Sequence, residues 1–446
     1  MPELVEIAKA IAARASGGEQ IEAYLSTGKE TEVRSFGGAV ENLSSAESAG
    51  VGVRVVKDRR QGFAWVGALG QAAAAEALAE ARDNVAYATE DAHAGLAGPD
   101  GWPAAALELW RDELAAAGND TKIAMALELE RQVRSDARIR QVVRAGYSDS
   151  SVEWAVANSL GLAATSRRST CHLFAYAIAG EGAETATGFG YSAGRAPSDL
   201  DVVACAGDTV ERAVRMVGAT KPKSGQLTVV LDRRVTSTLL AVLAGTLSGE
   251  EVSKGRSLFA NRLGEAVACP GFTLVEDPTN AAALGASPFD SEGLATRRNE
   301  LVEGGKLMGY LYDSHAARVA GTASTGSAVR GGYRSTPGVG ARAVALLPGE
   351  LGQAEILARV GEGLFVQSIS GVHSGVNAVS GDFSVGAEGL MIRGGELAEP
   401  VREMTIASTL QKMMQQVTHI GSDLEWLPAS AAGLTLAIEG LSLAGG

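Results

Sequence analysis

LTVVLDRRVTSTLLAVLAGT, residues 227–246, decides how the second half of the chain is read. Residues 227–231 make an apolar run of strand length, which Asp232 and Arg233 break. Apolar residues then return as Val235, Leu239, Leu240, Leu243 and Leu247, the three- and four-residue spacing of one helix face. A strand feeding a helix ahead of a polar, glycine-marked segment (SGEEVSKGRS, 248–257) is a common mount for metal ligands or a nucleophile. Yet the middle of this helix, 241–246 (AVLAGT), holds no titratable side chain.

Toward the C-terminus, short apolar segments between turns follow at 272–275, 301–311, 342–347, 364–369, 383–392 and 434–438, with one helix expected over 404–417. That density of strands predicts a barrel or a curved antiparallel sheet. Toward the N-terminus, Lys221-Pro222-Lys223-Ser224-Gly225 marks a boundary, because proline disfavours helix in the residue before it. Ahead of that boundary the pattern predicts an opening helix through Leu4, Ile7, Ala8 and Ile11, then strands at 21–25, 31–36, 50–56 and 62–66 and a helix at 71–85. A Gly-, Pro- and Ala-rich connection at 93–103 leads to a helix at 123–133, strands at 141–145 and 152–158, an alternating region at 163–191 and a helix at 200–217. The expected fold class is α+β. It comprises an N-terminal α+β domain (1–92), a central α+β domain (104–220) and a strand-rich, barrel-like C-terminal domain (225–446).

Composition narrows the function classes. A chain of 446 residues buries a sizeable core, and single cores seldom exceed about 250–300 residues, so several domains are expected. The formal charge of -13 opposes direct binding of nucleic acid or anionic lipid. The 56 glycines, without a collagen period, point to many turns between strands. Cys171, Cys205 and Cys269 are odd in number and far apart, the pattern of reduced thiols rather than of a disulfide framework. Glu3 and Glu6 interrupt any signal-peptide pattern, and no apolar run reaches the ~20 residues that span a bilayer. A cytoplasmic location without membrane contact is the expectation.

Local motifs offer little chemistry. The five histidines (His93, His172, His315, His373 and His419) form neither H-x-x-H nor H-E-x-x-H. Acidic, glycine-flanked clusters occur at 287–293 (SPFDSEG) and 380–384 (SGDFS). Such carboxylates can bind metal or exchange protons, but Asp and Ser at turns more often hold their own backbone amides. The glycine-rich pieces 321–326 and 331–332 lack the strand-to-helix setting and the lysine of a phosphate loop. No G-x-S-x-G nucleophile turn is present.

Several segments, in series along nearly the whole chain, resemble the TldD/PmbA family, also called modulator of DNA gyrase. They are VENLSSAESAGVGVRVV (40–56), SPFDSEG (287–293), LVEGGKLMGYLYDSHAAR (301–318), Ser324-Thr325-Gly326, SGDF (380–383) and VTHIGSD (417–423). The resemblance is to the PmbA (TldE) branch. In the TldD branch the helix after the strand at 227–231 carries an H-E-x-x-x-H zinc motif, with a third ligand from a cysteine near the C-terminus. Laid on that pattern, the positions fall on Ala241, Val242 and Thr246, and 427–434 (LPASAAGL) has no cysteine. Methyl and isopropyl groups cannot bind zinc, threonine is a poor ligand, and Val242 cannot act as a general base. The resemblance therefore implies a degenerate, non-catalytic subunit with no metal of its own. It also implies a TldD-like, zinc-bearing partner in a heterodimeric metallopeptidase that degrades unfolded peptides or trims peptide leaders. Asp290, Glu292, Asp313, Arg318 and Asp382 are the polar candidates for the substrate chamber or its scaffold. Two other readings stay open: a regulatory protein-binding module related to gyrase or a toxin system, and an autonomous homodimeric peptidase with relocated ligands.

Overall fold

The computed structural model describes residues 2–446. One six-stranded antiparallel sheet dominates the N-terminal half: β1 (Gln20–Phe36), β2 (Ala39–Lys57), β3 (Arg60–Val66), β4 (Ile139–Asn158), β5 (Ala163–Ala179) and β6 (Ala186–Gly194), in the order β3-β2-β1-β4-β5-β6. Strands from both sides of the connection around residues 93–103 thus share one sheet. Segments 21–25 and 31–36, expected as two strands, are one. The Ser-Thr-Gly-Lys-Glu stretch between them reads as a turn, but as part of the central strand its backbone pairs with β2 and β4 on both sides.

Helices Pro2–Ala12, Gln71–Val85, Asn119–Ser135 and Val202–Val214 cover one face of this sheet. Side chains alternate along a strand, so Ile21, Ala23 and Leu25 of β1 enter that helix-covered core. Glu22, Tyr24 and Ser26 consequently point to the other face, where their cross-strand neighbours are Arg54, Gly52 and Gly50. The C-terminal half packs against this second face through Phe289 and Tyr333, which join Tyr24, Val156 and Ala164.

The C-terminal half is built on a closed five-stranded mixed barrel: β7 (Gly225–Leu231), β8 (Gly363–Ser370), β9 (Asp382–Arg393), β10 (Glu396–Thr409) and β11 (Leu436–Ala444). β7 and β8 run parallel; pairing of Thr405–Ala407 with Ala444–Ser442 closes the ring. Between β7 and β8 the chain makes the helix Arg233–Thr246, a small sheet including Leu274–Glu276, Asn299–Glu303 and Val344–Leu346, and the helix Ser314–Ala320. The strand expected over 301–311 is instead a short hairpin, because Gly304 and Gly305 take positive φ (54° and 81°) and turn the chain.

The helix expected over 404–417 is overturned for its first half. β10 continues to Thr409, and only Leu410–Gln415 is helical, with Thr409 as its cap. Met404 and Ile406 enter the barrel core at the two-residue spacing of a strand, which sets the local period there. A helix at Gln353–Val360 was not foreseen from the sequence. Among the described residues, no helix is long and apolar enough to cross a membrane.

Candidate functional site

Two places collect the residues singled out above. The first is the helix Arg233–Thr246. Asp232 starts it, its carboxylate accepting from the Arg234 N–H at 3.0 Å and from the Arg212 guanidinium at 2.9 Å. Leu239, Leu240, Leu243 and Leu247 are buried in the largest apolar cluster, together with barrel residues such as Leu231, Val366 and Ile438. Ala241 and Val242 lie on the opposite, half-open face with Arg234 and Thr238, and beside Gly245 the space is empty. Thr246 is 2% exposed and spends its hydroxyl on the Leu243 carbonyl, 2.6 Å away.

The C-terminal segment 427–434 packs directly on this helix. Ser237 Oγ donates to the Ala431 carbonyl at 2.7 Å, and a Cβ on Gly433 would stand 2.0 Å from the Arg233 carbonyl oxygen. Helix and segment are therefore adjacent, as a shared site needs. Neither carries Cys, His, Asp or Glu, the side chains that zinc takes, and this donor set does not fit the metal. Among the described residues, no group of three or more such side chains is placed to hold a metal ion.

The second place is the junction between the sheet and the barrel half. Arg54 of β2 bridges Glu22 of β1 (2.7 Å) and Glu292 (3.2 Å), and Arg330 donates to Glu22 at 2.8 Å. These four side chains are at most 5% exposed. Burial alone would raise Glu22, but Arg54 and Arg330 overcome it and hold the carboxyl below its ordinary value. Glu292 also accepts from the Ser314 N–H (2.9 Å) and hydroxyl (2.6 Å). Its neighbour Asp290 makes no hydrogen bond or ion pair with a guanidinium among the described residues. It accepts backbone N–H groups of Glu292, Leu294 and Ala328, and burial, then Glu292, push its pKa up.

Asp313 caps the helix Ser314–Ala320 by accepting from the Ala316 N–H at 2.7 Å, and burial raises its pKa. Arg318 on the same helix donates to the carbonyls of His93 and Gly95, both at 2.7 Å, while His315 meets Asp91 at 2.7 Å. The helix thus straps the connection between β3 and β4 to the barrel half. Asp290, Glu292, Asp313 and Arg318 therefore come together, whereas Asp382 stands apart. It is exposed at the start of β9 and accepts from Ser380 Oγ at 2.6 Å.

Sequence reasoning missed Glu22, Arg54 and Arg330. The available signal was a charge inside an otherwise apolar strand run: Glu22 in IEAYL and Arg54 in GVGVRVV.

An antiparallel sheet backed by four helices, docked on a closed mixed barrel whose first crossover helix meets a C-terminal loop, is the architecture of a peptidase family. The chain belongs to the PmbA/TldD metallopeptidase family: models of PmbA/TldA metallopeptidase domain 1, central domain and C-terminal domain match residues 21–85, 112–217 and 224–445. It is 28% identical over 429 residues to Metalloprotease PmbA of Escherichia coli O157:H7, covering 95% of this chain and 92% of the relative. To a Metalloprotease TldD homolog of Haemophilus influenzae it is 25% identical over 402 residues, covering 87% and 82%. A Thermotoga maritima structure described as a modulator of a DNA gyrase superposes with a TM-score of 0.90 at 25% identity, over 98% of this chain and 99% of the other. TldE from Thermococcus kodakarensis shares the fold at a TM-score of 0.87 and 22% identity, over the full length of both chains.

Proposed function

We propose that this chain is the metal-free, non-catalytic subunit of a cytoplasmic two-chain metallopeptidase. A TldD-type partner supplies zinc and the hydrolytic groups, and the substrate is an unfolded peptide or a peptide leader. One observation carries the reading. The helix Arg233–Thr246 and segment 427–434 stay packed together, yet present Ala241, Val242 and Thr246 where the TldD-type pattern needs two ligands and a base. In this reading the chain walls the chamber and restricts access to it, and peptide backbone can pair with exposed strand edges without regard to sequence.

The test is reconstitution. The purified chain should carry no stoichiometric zinc and leave a flexible peptide intact, while mixing with its TldD-type partner should give chelator-sensitive cleavage. Chelator-sensitive cleavage by the lone chain, persisting through further purification, would refute the proposal. The likeness to a protein described as a gyrase modulator favours a second, regulatory reading. With a net charge of -13 that role requires a protein target rather than DNA, and retention of gyrase rather than a TldD-type chain in a pull-down would favour it.

A further inference from the structure

The sheet face turned toward the barrel half forms one wall of a cleft of ≈ 460 Å³, and segments around 286–291 and 330–342 form the other. The segment bearing Tyr333 comes this close because β2 has glycine where it passes. A Cβ on Gly50 would lie 2.3 Å from the Tyr333 ring, and one on Gly52 would lie 2.2 Å from the Tyr333 carbonyl oxygen. Tyr24 and Trp154 stack on the sheet wall, with ring centroids 5.7 Å apart and planes within 18°. Arg168, Arg330, Arg334 and Arg342 line the same cleft, against Glu30, which is exposed.

Of these arginines only Arg330 has an ion-pair partner among the described residues. Arg330 is held by Glu22 and the Ser291 carbonyl. Arg342 donates to neutral oxygens, Ser291 Oγ (2.9 Å) and the Ala328 carbonyl (3.0 Å), and its buried Nε has no hydrogen-bond partner among the described residues. Arg334 lies over Trp65 and Tyr333 and donates to the Tyr333 hydroxyl. The Arg168 side chain makes no hydrogen bond or ion pair among the described residues, although it is half-buried. Arg168 and Arg342 also line an adjoining cavity of ≈ 440 Å³, so they stand where two cavities meet. Burial and then Arg168 lower the pKa of Arg342, while Asp290, Tyr24 and Glu276 act in the opposite direction.

A guanidinium left without an anion in a half-desolvated cleft is arranged for an incoming one, and its planar fork matches a carboxylate. We infer that this cleft is a carboxylate-binding subsite in which Arg168 and Arg342 receive one carboxylate of a bound peptide, its C-terminus or an acidic side chain, beside the Tyr24–Trp154 platform. The inference rests on the reading of the chain as a peptide-handling subunit and adds which group of the peptide it holds.

The test uses the full chain without a partner, so it is independent of reconstituted proteolysis. Fluorescence anisotropy would compare one labelled flexible hexapeptide in three forms: C-terminal acid, C-terminal amide, and amide with one internal glutamate. Tighter binding of the acid by about tenfold supports a C-terminal carboxylate, and the same gain from glutamate supports a side-chain source. In either case Arg168→Gln should abolish the gain with the melting temperature unchanged, and Arg168→Lys should restore part of it. Equal binding of all three forms, no binding, or a preference that survives Arg168→Gln would overturn the inference. So would inorganic phosphate displacing the acidic peptide at lower concentration than acetate does, since that would mark a phosphoryl site. Loss of carboxylate preference alongside intact two-chain cleavage would leave the proposed function standing.

Discussion

The open face of the helix Arg233–Thr246 and the junction around Arg54 are filled in opposite ways. On the helix, Ala241 and Val242 occupy half-open positions with no polar partner, while Leu239, Leu240 and Leu243 bury the reverse face. At the junction Glu22, Arg54 and Glu292 are removed from water and joined to each other. The first place holds apolar or hydroxyl side chains at 241, 242 and 246 and keeps its packing, because a helix anchored by an apolar stripe needs no metal to persist. The second cannot lose one member without stranding another, because a buried charge is tolerated only while it is paired. Chemistry carried on a surface is dispensable in a way that charge carried in an interface is not.

The largest effect should follow from breaking the junction. Arg54→Ala leaves Glu292 with the Ser314 N–H and hydroxyl but without an ion-pair partner among the described residues, and deprives Glu22 of one of two guanidinia. A loss of about 3–5 kcal/mol is expected in urea unfolding, as for other buried pairs cut on one side. A loss under about 1 kcal/mol would show that water replaces the guanidinium and that the contrast with the helix is false.

A second effect separates two buried carboxylates by their partners. Glu22, with two guanidinia, is held below its ordinary value. Glu276 is just as buried but, among the described residues, accepts only from the Asn299 amide and the Arg342 backbone N–H, and burial raises it from 4.5 to about 7. An acid raised on folding binds more protons in the folded state than in the unfolded state between those two values. Its contribution to stability is therefore present at low pH and is lost as pH rises from about 4.5 to about 7, by at most about 1.4 kcal/mol per pH unit. Glu276→Gln should remove that share of the slope when unfolding is compared at about pH 5 and about pH 7. An unchanged slope would mean that Glu276 stays ionised in the folded chain.

What the sequence could tell follows the same division. The helix 233–246, its leucines, the helix 71–85 and the barrel strands β7, β8 and β9 were legible because period and turn chemistry are local. The 404–417 segment misled because the barrel residues Met404 and Ile406 are followed by Leu410, Met413, Met414 and Val417, a strand and a short helix whose apolar positions merge into one helix-like spacing. The junction was least legible. Glu22, Glu292 and Arg54 look unrelated when Arg54 finds its partners 32 and 238 positions away and Arg330 finds Glu22 across 308. Asp290, Glu292, Asp313 and Arg318 drew notice as turn-like polar residues, and nothing local told that Asp382, in a similar Ser-Gly-Asp setting, lies elsewhere.

The smallest effects test whether the vacant helix is uniformly vacant. Ala241 and Thr246 both fall where histidines would stand in a TldD-type motif, but their surroundings differ. Ala241 is half-exposed, so Ala241→His should cost no more than about 1 kcal/mol, mostly the weaker helix preference of histidine. Thr246 is buried, with its hydroxyl turned back on the Leu243 carbonyl and its own carbonyl accepting from Ser257 Oγ. An imidazole there must displace packed neighbours, and Thr246→His should cost about 1–3 kcal/mol. Urea unfolding of the two single variants reads the contrast directly. If both are tolerated alike, the helix end can open to admit a ligand and only side-chain identity separates this chain from a zinc-binding one. If they differ as expected, packing around Thr246 has closed over the second ligand position, and restoring the motif would require rebuilding the wall behind it.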